Sequence, residues 1–92
     1  MEKYPYLNEA IAAVITRRRD ELAISKKKLS EEAMIARAHI TALEAGVQSP
    51  SMNVVFYLCE ALGLEPVDFM HQVCDEIRKL EAEAKKPKVW KA

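Results

Sequence analysis

Apolar side chains recur three and four positions apart along almost the whole chain, and only two glycines interrupt them. That spacing marks helices with one buried face. Leu7, Ile11, Ile15 and Leu22, with Val14 beside them, predict a first helix from Asn8 to Leu22. Asn8 is a cap residue shortly after a proline that discourages an earlier start. Ser25 is suited to cap a second helix, Lys26 to Ala33, burying Leu29 and Ala33. After a very short break a third runs from about Arg37 to Ala45, with Ile40 and Leu43 on its apolar face and Gly46 as its stop. Gln48, Ser49 and Pro50 form a loop. Ser51 then caps a fourth helix whose apolar residues are Met52, Val55, Phe56, Leu58, Cys59 and Leu62, and Gly63 ends it. Pro66 opens a fifth, which reaches about Ala84 before Pro87 limits it. The expectation is an all-α chain of five helices. So few glycines also exclude a glycine-rich phosphate loop and disfavour a turn-dense β-sandwich.

The 92 residues suit one domain with one modest core. The longest apolar run, Ala10 to Ile15, is far shorter than the roughly 20 residues a bilayer span needs. The start of the chain lacks the pattern of a signal peptide. These features predict a cytoplasmic protein with no membrane partner. Cys59 and Cys74 are too few for a disulfide framework and are expected as thiols. His71 and Cys74 make half a metal site with no second half, so no metal and no cofactor are expected. No nucleophile is accompanied by a base and an orienting group, which argues against an enzyme.

The net charge is zero, which taken alone argues against a nucleic-acid binder. The charges are unevenly placed, however. Residues 15–30 carry six basic and two acidic groups, whereas residues 31–84 carry three basic and ten acidic ones. Lys26, Lys27 and Lys28 crowd the start of the second helix, where cations oppose the helix dipole. A phosphate bound there would reverse that cost, since it attracts both the lysines and the free N–H groups.

Ile11, Ile15, Arg19, Ile24, Ser25, Leu29, Ile40, Glu44, Gly46, Pro50, Val55 and Leu62 together carry a more specific signal. Their spacing resembles the phage-repressor-like (Xre/Cro-type) helix-turn-helix family over about residues 8–70. The resemblance implies a lambda-repressor-like DNA-binding bundle with an extended C-terminal helix. Its third helix would read bases in the major groove while the second crosses the backbone. By family position, Arg37, Ala38, Thr41 and Ala42 would face the bases. Arg37 is able to take guanine O6 and N7 in a bidentate contact; the alternative is that it holds phosphate and DNA shape supplies specificity. Ser25, Lys26, Lys27, His39, Gln48 and Ser49 would contact the backbone. Arg19 and Glu44 would form a partly buried ion pair, which sets Arg19 apart from Arg17 and Arg18.

Three positions depart from the family pattern. Met34 replaces a common glycine in the turn, and a positive φ there would store about 1 kcal/mol. Ala36 replaces the usual Ser or Thr cap of the reading helix. Ser30 replaces a small alanine, and its hydroxyl is placed to bond back to the preceding turn.

Met70, Val73, Ile77, Leu80 and Ala84 form an a/d-like stripe on the last helix. A homodimer through this stripe would suit a twofold-symmetric reader; the alternative is that the helix folds back on Tyr4, Tyr6 and Leu7. Residues 1–70 thus read as a DNA-binding domain, 71–84 as a dimerising extension and 85–92 as a flexible basic tail containing Trp90. The functional expectation is a sequence-specific transcription regulator, a repressor acting on double-stranded DNA at a palindromic operator. Alternatives are an antitoxin with a toxin partner, a restriction-modification controller, or an interaction module that has lost DNA binding.

Overall fold

The computed structural model describes residues 2–89, with side chains to residue 84. Five helices follow in order: α1 Leu7–Glu21, α2 Lys26–Ala33, α3 Arg37–Glu44, α4 Met52–Leu62 and α5 Pro66–Val89. There is no strand among the described residues. Helix α1 packs on α3 and α5, α2 packs on α3 and α4, and α4 meets α5. Ile15, Leu29, Ile40, Leu43, Leu58, Leu62, Phe69 and Val73 are all fully buried, so every helix contributes to one core. Each such side chain contributes roughly 1.5–3 kcal/mol by leaving water.

Helix starts follow local chemistry where a serine is present. The Ser25 hydroxyl accepts from the Lys28 N–H at 3.0 Å, and that of Ser51 from the Val54 N–H at 3.2 Å. Helix α1 differs from expectation. It begins at Leu7 behind Tyr6, which has a left-handed φ of 65° and makes no side-chain cap. Asn8 lies inside the helix and is buried, because its side-chain oxygen accepts the Ser49 hydroxyl from the α3–α4 loop.

The first four helices end in one way. Ile24, Ile35, Val47 and Leu64 each donate to the carbonyl five residues back, from Arg19, Ser30, Ala42 and Cys59 respectively. Ala23, Met34, Gly46 and Gly63 each donate to the carbonyl three back. This paired closure is the Schellman motif, and it places the residue after the helix in the left-handed region. Gly46 and Gly63 adopt φ values of 75° and 67° freely, whereas Ala23 and Met34 hold 55° and 56° with a Cβ. Met34 is 80% exposed, so no packing offsets that cost. Met34→Gly is expected to stabilise the fold by about 1 kcal/mol, read as a higher urea midpoint with an unchanged slope. A lower midpoint would mean that the methionine side chain supports the turn.

Helix α5 passes its expected stop at Ala84 and runs through Pro87 to Val89. Trp90 and the rest of the expected tail lie outside the described residues. The α5 stripe is partly used within the chain, in line with the fold-back alternative. Val73 is fully buried in the chain's own core, and Ile77 and Leu80 pack partly against it, while Met70 and Ala84 stay exposed. The stripe is thus shared: its buried part packs within the chain, and Tyr4, Leu7, Met70, Cys74 and Ile77 line an open groove of about 370 Å³ beside it.

Arg17 fastens the same contact. It donates to Glu76 Oε2 at 2.8 Å and to Gln72 Oε1 at 3.3 Å. The bond from Arg17 holds the Glu76 carboxyl below its usual range, against an opposing effect of burial. A depressed carboxyl stabilises the fold above its unfolded pKa of about 4.3 and loses that contribution as pH falls through its folded value. Glu76→Gln should therefore lower stability slightly at pH 7, by less than about 1 kcal/mol for so exposed a partner. The gap to the parent should close on acidification, as measured by urea unfolding at stepped pH. A gap that widens in acid would contradict the pairing.

Candidate nucleic-acid interface

Helix α3 is only eight residues long, and its two fully buried side chains, Ile40 and Leu43, fix which face turns outward. Arg37, Ala38 and Thr41 are exposed on that face, and Ala42 is half-buried at its edge. Ala36 precedes the helix and makes no side-chain cap, so the first N–H groups of α3 are not met by a side chain.

The position of α3 is held from α1 by charge. Arg19 Nε donates to Glu44 Oε2 at 2.7 Å and Arg19 Nη2 to Glu44 Oε1 at 3.0 Å, a two-pronged contact. Arg19 Nη1 also donates to the Ile24 carbonyl at 2.9 Å, and the Thr16 hydroxyl donates to Glu44 Oε1 at 3.1 Å. The Glu44 hydrogen bond raises the Arg19 pKa further, against desolvation. One carboxylate thus joins the last turn of α3 to α1 and, through Arg19, to Ile24 in the α1–α2 turn.

The neighbouring arginines are structural too, which corrects the expectation that only Arg19 would be. Arg17 is committed to α5, and Arg18 Nε donates to the Leu62 carbonyl at the end of α4 at 2.8 Å. Lys28 pairs with Glu32 at 3.2 Å. Much of the positive charge of residues 15–30 is therefore engaged within the chain. Among the basic groups of α2 and α3, Lys26, Lys27 and Arg37 have no acidic partner among the described residues. Lys26 and Lys27 open α2 beside Ser25, whose oxygen accepts from Lys28 and whose O–H remains able to donate. The Ser30 hydroxyl donates back to the Lys27 carbonyl at 2.8 Å.

Two expected backbone contacts have other engagements. The Ser49 hydroxyl donates inward to Asn8, so its proton is unavailable to a phosphate. His39 Nδ1 lies 2.9 Å from Gln48 Oε1. With Nδ1–H donating to that oxygen, a neutral His39 ring has no second N–H for a phosphate, and the Gln48 amide N–H groups are left as donors. These long-range engagements carried no signal in the local sequence, because each joins segments whose approach is decided by the core.

An N-capped helix, a tight left-handed turn and a short helix with an exposed basic and polar face together make a helix-turn-helix. The helix-turn-helix family HTH_3 matches residues 15–69. The chain belongs to this family. Its five-helix, strand-free arrangement is the fold of DNA-binding transcriptional regulators. No curated protein sequence matches the chain. Among solved structures, the clp gene regulator ClgR from Corynebacterium glutamicum superposes with a TM-score of 0.85 at 22% identity, covering 95% of this chain and 93% of ClgR. The restriction-modification controller protein C.Esp1396I superposes with a TM-score of 0.72 at 19% identity, covering 80% of this chain and 95% of the controller. The same controller has been solved as a tetramer on its natural 35 base-pair operator, and that form superposes at 0.73 with 19% identity, covering 80% of this chain and 97% of the controller. Among the described residues no cluster of His, Cys, Asp or Glu is placed to hold a metal ion, and no helix is long and apolar enough to cross a membrane. Cys59 is buried and its thiol is pushed up to about 11 by burial and by Glu65, which keeps it protonated and unreactive at neutral pH.

Proposed function

We propose that this helix-turn-helix protein is a sequence-specific transcription repressor that binds a palindromic operator as a homodimer. The supporting observation is that Arg37 and Thr41 are exposed on α3 while Lys26 and Lys27, without acidic partners among the described residues, open the serine-capped α2 that packs against it. In this reading Arg37 and Thr41 contact base edges, and Ala38 and Ala42 leave room for thymine methyl groups. Ser25, Lys26, Lys27 and the Gln48 amide hold the sugar-phosphate backbone. His39 orients Gln48, and Ser49 latches the loop to α1. Residues 1–70 carry the binding, and residues 71–84 brace it by covering α1.

Selection of bound sequences from a random duplex pool tests this reading. The expected product is a twofold-symmetric motif whose half-sites lie about one helical turn apart. Binding should weaken as salt rises. With Lys26, Lys27 and Arg37 as the principal available cations, the logarithmic slope should be modest, about −3 per protomer. No enrichment, and no binding even at low salt, would overturn the reading.

A further inference from the structure

The contact between His39 and Gln48 ties α3 to the loop that follows it, and it fixes more than the loop. His39 Nδ1 lies 2.9 Å from Gln48 Oε1. An amide oxygen only accepts, so Nδ1 carries the proton of the neutral ring and Nε2 is left as a bare acceptor. The imidazolium carries a proton on both nitrogens, so the bond from Nδ1 to Gln48 survives protonation. One added proton therefore changes Nε2 alone, from an acceptor to a charged donor, while the loop keeps its place.

The position of the ring gives that change a consequence. Ile40 and Leu43 turn one face of α3 into the core, and Arg37, Ala38 and Thr41 lie on the exposed face. His39 is half-buried at the flank between them, and Gln48 is exposed beside it. Phosphates border the major groove, so a side chain at the flank of a helix seated there meets phosphate oxygens, which only accept. Neutral His39 would set one acceptor against another. The imidazolium would donate a charge-assisted bond from Nε2. We infer that His39 is a phosphate contact completed by one proton, with Gln48 holding the ring in both states, so that DNA affinity rises on acidification. This deepens the DNA-binding reading above and rests on it.

The charged groups around α3 leave that proton to the DNA. Helix α3 packs on α1 and α2. From α1, Arg19 joins Glu44 and lies 3.8 Å from Asp20, Arg18 lies 3.4 Å from Glu21, and Arg17 reaches α5. Glu9 borders Ala45 and Gly46, past the other end of α3. From α2, Lys28 pairs with Glu32, while Lys26, Lys27 and Glu31 form no ion pair among the described residues. On α3 itself, Arg37 stands two positions before the ring. No described carboxylate pairs with His39. The chain's other histidine, His71, sits on α5, 3.9 Å from Asp75, and provides an internal control.

Two measurements on the full chain test the inference. Nitrogen NMR of the free protein above the imidazole range should find the His39 proton on Nδ1, and Gln48→Ala should return it to Nε2, the form an unconstrained side chain favours. A proton on Nε2 in the parent would overturn the assignment. On the tightest duplex from the selection above, affinity should rise about two- to fivefold per protomer from about pH 7.5 to about pH 5.5, the scale of an exposed ion pair. The salt slope should steepen by about one unit per protomer over the same range, because a further cation meets phosphate. His71→Asn should keep both changes. His39→Asn, whose amide offers Gln48 an N–H but does not ionise, should lose both. A parent whose affinity and slope ignore pH, or a His39→Asn variant with the full pH response, would sink this contact and leave the DNA-binding reading standing. A parent that binds no duplex at either pH would instead sink that reading, and the contact with it.

Discussion

Glu44→Ala is expected to destabilise the fold by about 3 kcal/mol, the usual scale for removing one partner of a buried ion pair. For a domain of this size that corresponds to a drop in melting temperature of roughly 12–24 °C. The reason is what the variant leaves behind. The Glu44 and Arg19 side chains are only 5% and 15% exposed. An arginine cannot shed its proton, so without Glu44 two of its N–H groups lose their acceptors in a poorly solvated place. Thr16 loses its acceptor as well. The remaining bond from Arg19 to the Ile24 carbonyl does not compensate a full charge. Replacing both partners with apolar residues of similar size should cost much less, because the desolvation of two charges is then avoided. A Glu44→Ala variant that melts with the parent would show that the pair contributes little to holding α3.

That pair was legible in the sequence only through the family resemblance, whereas the serine caps were legible from local chemistry. Ser25 and Ser51 cap where the chain turns from extended to helical, and the hydroxyl reaches an N–H three residues away. Helix ends were half legible for a related reason. Four helices close with the same left-handed residue, but glycine marks only two of them. At Ala23 and Met34 the closure is imposed by the packing of the next helix, and residue type offers only the hint that Met34 stands in an unusual place. Asn8 misled because a good cap residue is also a good buried acceptor, and its partner Ser49 is 41 positions away. The α5 stripe was legible as apolar but not in what covers it. An apolar stripe does not say whether its cover is the same chain or another, and α1 covers much of it here. The charge pattern identified a basic region but not its engagement. Arg17, Arg18 and Arg19 all reach acceptors on other segments, which leaves Lys26, Lys27 and Arg37 as the basic groups of α2 and α3 without an acidic partner among the described residues.

Arg37→Ala should therefore have the largest effect on recognition. The neighbours of Arg37 on the exposed face of α3 are short, and Ala38 and Ala42 carry no donor. If the guanidinium holds a guanine through O6 and N7, the variant should lose about 1–3 kcal/mol of discrimination at one base step per half-site, roughly 5- to 150-fold. Preference at the other positions of the selected motif should persist. Lys27→Ala provides the contrast, because a phosphate contact carries no sequence information: it should weaken all duplexes alike and reduce the salt slope by about one unit per protomer. The exposed position of Arg37 means that neither outcome is confounded by unfolding, which equal melting curves would verify. If Arg37→Ala instead behaves as Lys27→Ala is expected to, Arg37 is a backbone contact. Sequence preference would then have to arise from Thr41 and from the deformability of the DNA between half-sites. The two variants measured on one set of duplexes, at two salt concentrations, separate these mechanisms by whether the loss depends on sequence or only on ionic strength.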